Sequence, residues 1–178
     1  MLFRSGRAYG IPTVLLRFFN VYGPGQSLSN PYSGVSAIFM SRLKNGHPPI
    51  VYEDGLQSRD FVSVHDAVQA IERAFRKRLA EPRVFNVGSG LPTSLRSIAE
   101  QLARSSGAKV QPKVVRKFRS GDIRHCFADI TAIREALGYR PKISLEEGFR
   151  ELVEWAESAE AKDNFDQAQR ELARRGLL

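Results

Sequence analysis

The stretch from Thr13 to Gln26, TVLLRFFNVYGPGQ, constrains this chain more than any other. Val14, Leu15, Leu16, Phe18, Phe19 and Val21 leave no polar face and show no helical period. That is the pattern of a strand covered on both sides of a parallel sheet. Gly23, Pro24 and Gly25 stop it. In an open α/β sheet a ligand sits beyond the carboxyl ends of the strands, so Asn20 and Tyr22 mark where a site is expected.

The flanking segments supply the rest of an α/β fold. Leu2 to Tyr9 reads as the last turns of a helix ended by Gly10 and Pro12. No capping residue opens it. Val35, Ile38, Phe39 and Leu43 form one face of a second helix, closed by Asn45 and Gly46. Ile50 to Tyr52 and Phe61 to Val64 are strand-like around an acidic turn at Asp54 and Gly55, with Arg59 between them. From Asp66 the spacing predicts a helix that turns Val68, Ile71, Ala74 or Phe75, and Leu79 toward a core until Pro82. Val84 to Gly90 is a second short buried strand ending in glycines, after which Thr93 or Ser94 caps a helix carrying Leu95, Ile98, Ala99 and Leu102. Val110 to Phe118 reads as another strand, and Asp129 and Gly138 bracket a short helix. Ser144 with Glu147 makes a capping box before Leu145, Phe149, Leu152 and Ala156. Asp163 to Leu178 can form one more amphipathic helix, whose docking the sequence leaves open.

Composition narrows the function. At 178 residues, 42% hydrophobic and 26% charged, the chain can build one substantial core. Its apolar runs are too short to span a bilayer and its first residues lack a signal-peptide pattern, so a cytoplasmic location without a membrane partner is expected. Cys126 is alone, and His47, His65 and His125 have no second ligand type at metal spacing, so no metal is expected. The formal charge of +8 fits nucleic acid, an anionic small ligand or truncation. The basic residues are dispersed, however: Arg76 to Arg78 and Arg174 with Arg175 sit in helical patterns as solvated faces, and no nucleic-acid partner is expected.

Arg59, Arg119 and Asp122 stand out among the polar residues, since two arginines in loops after strand-like segments can clamp a phosphate and a carboxylate beside them can take sugar hydroxyls. From spacing alone the simpler reading is a structural pair, Arg59 with Asp60 or Arg119 with Asp122. Gly88 to Gly90 hints at a phosphate loop but lacks the GxGxxG pattern, so a tight turn is the favoured reading. Phe18, Phe19, Tyr22 and Tyr32 can line a flat pocket, although aromatic residues on such a strand more often belong to a core. His65 beside Asp66 resembles a dyad only in text; Asp66 is expected to serve the helix dipole. No serine lies on a GxSxG elbow.

LRFFNVYGPGQ, RDFVSVHDAVQA, FNVGSG, RSGD followed by AD, and LGYRPKISLEEGF occur in an order and spacing that resemble the extended short-chain dehydrogenase/reductases that epimerise or dehydrate nucleotide sugars. The resemblance covers the chain to about residue 156 and is closest to the dTDP-rhamnose and UDP-glucose 4-epimerase branches. It implies the last part of a Rossmann-type parallel sheet, from residues 1–26 and about 62–90, plus a small α/β substrate-binding lobe from about 27–61 and 91–156, with 157–178 as a helical tail. It also implies that Asn20 bonds the substrate diphosphate, that Phe18 and Phe19 lie on the nicotinamide side of an NAD cleft, and that Val35 and Tyr52 border the base pocket. Arg59 and Arg119 would hold the diphosphate and Asp122 the nucleotide ribose of a UDP- or dTDP-sugar. In the family a tyrosinate takes the sugar 4-hydroxyl proton while NAD accepts hydride. The GxxGxxG loop and YxxxK pair that do this are absent here: Tyr9 is followed by Thr13 and Tyr22 by Gln26 at the lysine position.

The expectation is therefore a carboxyl-terminal half without a catalytic residue of its own. It would lack turnover, NAD binding by itself and roughly 150 preceding residues of dinucleotide-binding fold. Its open sheet edge invites self-association or homo-oligomerisation. A non-catalytic sugar-nucleotide or anion-binding module, or a dehydratase or decarboxylase fragment, are the alternatives.

Overall fold

The computed structural model describes every residue except Met1, Arg78, Ala80, Pro82, Arg119, Ser120, Leu177 and Leu178. The expected phosphate-binding Arg119 and the helix stop at Pro82 thus lie outside the described residues.

A helix over Leu2–Ala8 (α1) ends at Gly10, whose φ of 63° is the left-handed conformation a side chain disfavours. The apolar stretch then forms two strands, β1 (Val14–Phe18) and β2 (Asn20–Tyr22), divided at Phe19. β1 runs parallel to β5 (Arg83–Val87), with Val14 opposite Arg83 and Phe18 opposite Val87. The Phe19 N–H donates to the Val87 carbonyl at 3.0 Å, after which β2 leaves to pair parallel with β4 (Ser58–Ser63), Asn20 opposite Phe61.

The expectation of cover on both faces is corrected here. Val14, Leu15 and Leu16 are half-buried, and Arg17 and Phe18 are exposed. On one face Val14 and Leu16 pack on Ala70, Phe85, Val87, Ile133, Leu137 and Tyr139.

β4 is the hub. Beyond β2 it pairs antiparallel with β6 (Pro92–Ser94) and parallel with β8 (His125–Cys126) through Ser58 and Arg59. Arg59 therefore lies within a strand, not in a loop. The residues around Asp54 and Gly55 do not close a hairpin either, because β3 (Ile50–Val51) pairs parallel with β7 (Lys113–Val114), the only strand formed from the expected Val110 to Phe118 segment.

Three helices wrap a second core on the other side of β4. They are α2 (Val35–Lys44), α4 (Leu95–Ser105) and α6 (Leu145–Ser158), and they enclose Tyr22, Phe39, Leu43, Ile98, Leu102, Phe149 and Leu152. Ser94 caps α4 by accepting from the Ser97 N–H, and the Ser144–Glu147 capping box opens α6 as its spacing predicts. Gly148 allows α6 to approach the Tyr22 ring, since a Cβ there would lie 2.2 Å from Tyr22 Oη.

The helix α3 (Val64–Arg76) turns Ala67 and Ala70 inward, so Val68, Ile71 and Phe75 face outward, with Phe75 90% exposed. Of the expected core face, Ala74 and Leu79 pack against the core, whereas Val68, Ile71 and Phe75 do not. Small alanines let the helix lie close to the sheet, and its register is set by Ser63, whose Oγ accepts from the His65 N–H, and by buried Asp66. The Asp66 carboxylate sits in the first turn of α3 but accepts from the Lys142 and Ile143 N–H groups. It fastens the segment leading into α6 as well as facing the helix dipole. α5 (Thr131–Leu137) completes this layer and ends at Gly138, φ 67°.

One buried charge ties the layers together. Asp60 is 0% exposed, and Oδ1 accepts from Ser89 N and Ser89 Oγ, each at 2.7 Å, while Oδ2 accepts from Gly90 N at 2.8 Å and Ala128 N at 3.1 Å. Asp60→Asn puts an N–H against two N–H donors. It should cost about 3 kcal/mol or more, a fall in Tm of roughly 10 °C by calorimetry; an unchanged Tm would refute this role.

Candidate functional site

Because side chains alternate along a strand, Asp60 pointing into the fold sends its neighbour Arg59 the other way. The Arg59 Nη1 donates to the Ser58 and Arg124 carbonyls at 2.8 and 3.3 Å, and Nη2 donates to Asp122 Oδ1 at 2.6 Å. The pair of Arg59 with Asp60 does not form: Arg59 meets Asp122, and Asp60 meets the backbone N–H groups of Ser89, Gly90 and Ala128 and the Ser89 hydroxyl, while the pair of Arg119 with Asp122 lies outside the described residues. A guanidinium has five N–H donors, so Arg59 keeps donors beyond those three contacts. Asp122 Oδ1 also accepts from the Ile123 N–H at 2.9 Å, which fixes its turn.

Two cavities meet at this pair. The first, about 270 Å³, is lined by Val35, Ile38 and Phe39 of α2, by Ile50, Val51 and Tyr52 at the end of β3, and by Asn20, Arg59 and Asp122. The second is an open shelf of about 540 Å³, lined by Arg17, Phe18, Phe19, Asn86, Ile123 and Cys126, again with Asn20, Arg59 and Asp122. The three shared residues form a polar seam between an apolar hollow and the shelf. Seven expected residues thus gather around one site and its two arms: Asn20, Arg59 and Asp122 at the seam, Phe18 and Phe19 on the shelf, Val35 and Tyr52 in the hollow.

Other candidates fall elsewhere. The Gly88 to Gly90 turn is no free phosphate loop, since the Ser89 and Gly90 N–H groups are engaged by Asp60, and a Cβ on Gly88 would come within 2.4 Å of Asp60 Oδ2. Tyr22 is core, and burial raises its phenol above the usual range. His65 pairs with Glu151 at 2.7 Å, not with Asp66. Among the described residues no group of His, Cys, Asp and Glu could hold a metal ion, and no helix is long and apolar enough to cross a membrane.

The sequence reading missed one wall. The terminal helix α7 (Phe165–Arg174) docks over the hollow and lines it with Phe165, Ala168, Gln169 and Leu172. The spacing of Phe165, Ala168 and Leu172 marks an apolar stripe, but a stripe does not name the surface it covers.

The NAD dependent epimerase/dehydratase family profile matches residues 1–88. The chain belongs to that family. It is 43% identical over 145 residues to the dTDP-L-rhamnose 4-epimerase of Burkholderia thailandensis, covering 81% of this chain and 39% of that protein. The crystal structure of UDP-glucose 4-epimerase from Thermotoga maritima, with UDP-glucose, superposes with a TM-score of 0.78 at 37% identity over 88% of this chain and 49% of that one. The UDP-N-acetylglucosamine 4-epimerase of Methanobrevibacter ruminantium, in complex with UDP-N-acetylmuramic acid, gives 0.81 at 33% identity over 88% and 50%. This epimerase-family chain therefore has the mixed α/β fold of those enzymes and spans half their length or less.

The rim of the site is held by ions. Arg124 donates to both Asp54 carboxylate oxygens, at 2.8 and 2.6 Å, and to Glu53 Oε2 at 2.6 Å. The Arg124 hydrogen bonds, then the Leu56 N–H, hold the Asp54 carboxyl well below the usual range. Its folded value is depressed, so this contribution to stability is present above the unfolded carboxyl pKa of about 3.9 and is lost only as pH falls through the lower folded value. Carboxyl 13C titration should place the Asp54 midpoint below that of an ordinary aspartate, and Arg124→Ala should bring it back; equal midpoints in both proteins would contradict the pairing.

Proposed function

We propose that this chain is the nucleotide-sugar-binding portion of an NAD-dependent 4-epimerase acting on a UDP- or dTDP-linked sugar. The observation that carries the reading is the polar seam of Asn20, Arg59 and Asp122 between a hollow and a shelf. Nucleotide sugars have the same order of parts: an apolar-faced base, a doubly charged diphosphate and a polar sugar. In this reading the base enters the hollow beside Val35 and Tyr52. The diphosphate lies against Asn20 and Arg59, with Arg119 as a second cation by motif, and Asp122 takes the ribose hydroxyls. The sugar extends over the shelf, where Phe18 and Phe19 flank the nicotinamide side.

The residues present do not fit a complete dinucleotide site. The glycine turn ending β5 has its N–H groups engaged by Asp60, and no GxxGxxG or YxxxK occurs in the 178 residues. NAD and the general base belong, on this reading, to sequence outside these residues, and this chain alone turns nothing over. Its own work is to position substrate, which in such reactions supplies a large share of the barrier reduction.

Calorimetric titration with UDP-glucose and dTDP-rhamnose tests the site. Arg59→Ala should weaken binding about tenfold to a hundredfold, the value of a charged hydrogen-bond partner; unchanged affinity would sink the assignment.

The same reading places a partner on the uncovered side. Val68, Ile71 and Phe75 present an apolar stripe, and among the described residues β1 pairs on one edge only. Such a surface drives self-association of the chain when nothing else covers it. Light scattering should give an oligomer that Phe75→Glu shifts toward monomer; a monodisperse wild-type monomer would refute it.

A further inference from the structure

The terminal helix is fastened over the hollow by more than its apolar stripe. Asp163 accepts from Arg42 Nη1 at 3.2 Å and pairs with His47 Nδ1 at 2.6 Å, just ahead of α7. The Arg42 guanidinium stacks over the Phe165 ring, 4.5 Å from its centroid. Lys162 N donates to Ser29 Oγ and Asn164 Nδ2 to Ser29 O, at 2.9 and 2.8 Å. The helix is therefore a fixed wall of the hollow.

That wall carries one polar group into the lining. Gln169 Nε2 donates to Tyr52 Oη at 2.6 Å. The Tyr52 hydroxyl, having accepted there, must direct its own proton elsewhere, and the Gln169 amide retains Oε1 and a second N–H. Gln57, 1% exposed and part of the same lining, donates to the Tyr52 carbonyl at 3.1 Å while its Oε1 has no partner among the described residues. Apolar Val35, Ile38, Ala168 and Leu172 complete the enclosure. At about 270 Å³ the hollow lies below the roughly 300 to 1,000 Å³ of sites for drug-sized ligands, so it suits a nucleoside better than a whole nucleotide sugar.

We propose that α7 is the base-reading wall of this hollow and that Gln169, held by Tyr52, is a specificity-determining residue for a pyrimidine whose ring N–H lies between two carbonyls. The assignment rests on the nucleotide-sugar reading of the site. Uracil and thymine offer acceptor, donor and acceptor in that order, which hydroxyl and amide protons with an amide oxygen complement. Cytosine replaces one carbonyl with an amino donor and lacks the ring N–H.

The test is calorimetric titration of the whole chain with UDP, CDP and inorganic pyrophosphate. Wild type should bind UDP more tightly than CDP. Gln169→Leu should lower UDP affinity about tenfold, the size of one hydrogen bond, bring the UDP-to-CDP ratio close to one and leave pyrophosphate binding intact. Gln169→Glu, which only accepts, should shift the ratio toward CDP. If both variants keep the wild-type ratio, Gln169 merely docks the helix and the proposal is overturned while the nucleotide-sugar reading stands. If wild type binds neither UDP nor pyrophosphate, that reading falls and this one with it.

Discussion

The Asp60 carboxylate is the joint on which the rest depends. A charge with no exposed surface is expensive to bury unless its oxygens are fully engaged, and here both oxygens are met by four N–H and O–H donors from the turn at Ser89 and Gly90 and from Ala128. Those donors come from segments far apart in the chain, so satisfying one carboxylate brings β4, the end of β5 and the strand leading to α5 to a common point. Gly88 follows as a consequence: the approach leaves no room for a Cβ. The glycines after β5 are there to admit an internal anion, and the same backbone geometry that would cradle a phosphate is closed to one.

Anchoring one residue of a strand determines where its neighbour goes. With Asp60 inward, Arg59 projects to the opposite side, beside Asn20 on the adjoining strand, because the stretch from Val14 changes partner at Phe19 and carries Asn20 from β5 across to β4. The site is thus set at the place where two short parallel pairings meet, outside the carboxyl ends of β1 and β5, as expected of open α/β sheets. Its two arms have different characters for the same reason. The hollow lies over the helical core of α2, α4 and α6, and the shelf lies over the thinner β1–β5 layer.

Local chemistry was legible and distant pairing was not. The capping box of Ser144 and Glu147 and the Gly10 and Gly138 helix ends follow from residues a few positions apart and occur as read, while the strand expected from Val84 forms over Arg83–Val87 with Val84 exposed rather than buried. The face of α3 was misread because Val68, Ile71 and Phe75 have the spacing of a core stripe, and periodicity reports that a stripe exists without saying what covers it. The same ambiguity hid the docking of α7. Arg59 lies 63 residues from Asp122 and Asp60 lies 68 from the Ala128 N–H, separations over which adjacency in sequence offers no guide and pairs of nearest neighbours are the wrong first choice. Ordered motifs across the chain carry what spacing cannot: the resemblance assigns Asn20, Arg59 and Asp122 to one ligand, and the three side chains line one seam.

The Arg59–Asp122 contact bears on how such a seam can take an anion at all. A carboxylate at 2.6 Å offsets part of the guanidinium charge, which by itself weakens attraction for a diphosphate. It also fixes the plane of the fork, together with the Ser58 and Arg124 carbonyls, so the remaining N–H groups need not lose rotamer freedom when a ligand arrives. An arginine side chain carries about 2 kcal/mol of rotamer entropy, comparable with one charged hydrogen bond, so prior ordering can outweigh the partial neutralisation. The long-range pull then falls to the whole chain, whose formal charge of +8 is spread over many surfaces. If the proposed diphosphate is the ligand, the dispersed basic residues would draw it in and the paired arginine would determine where it stops.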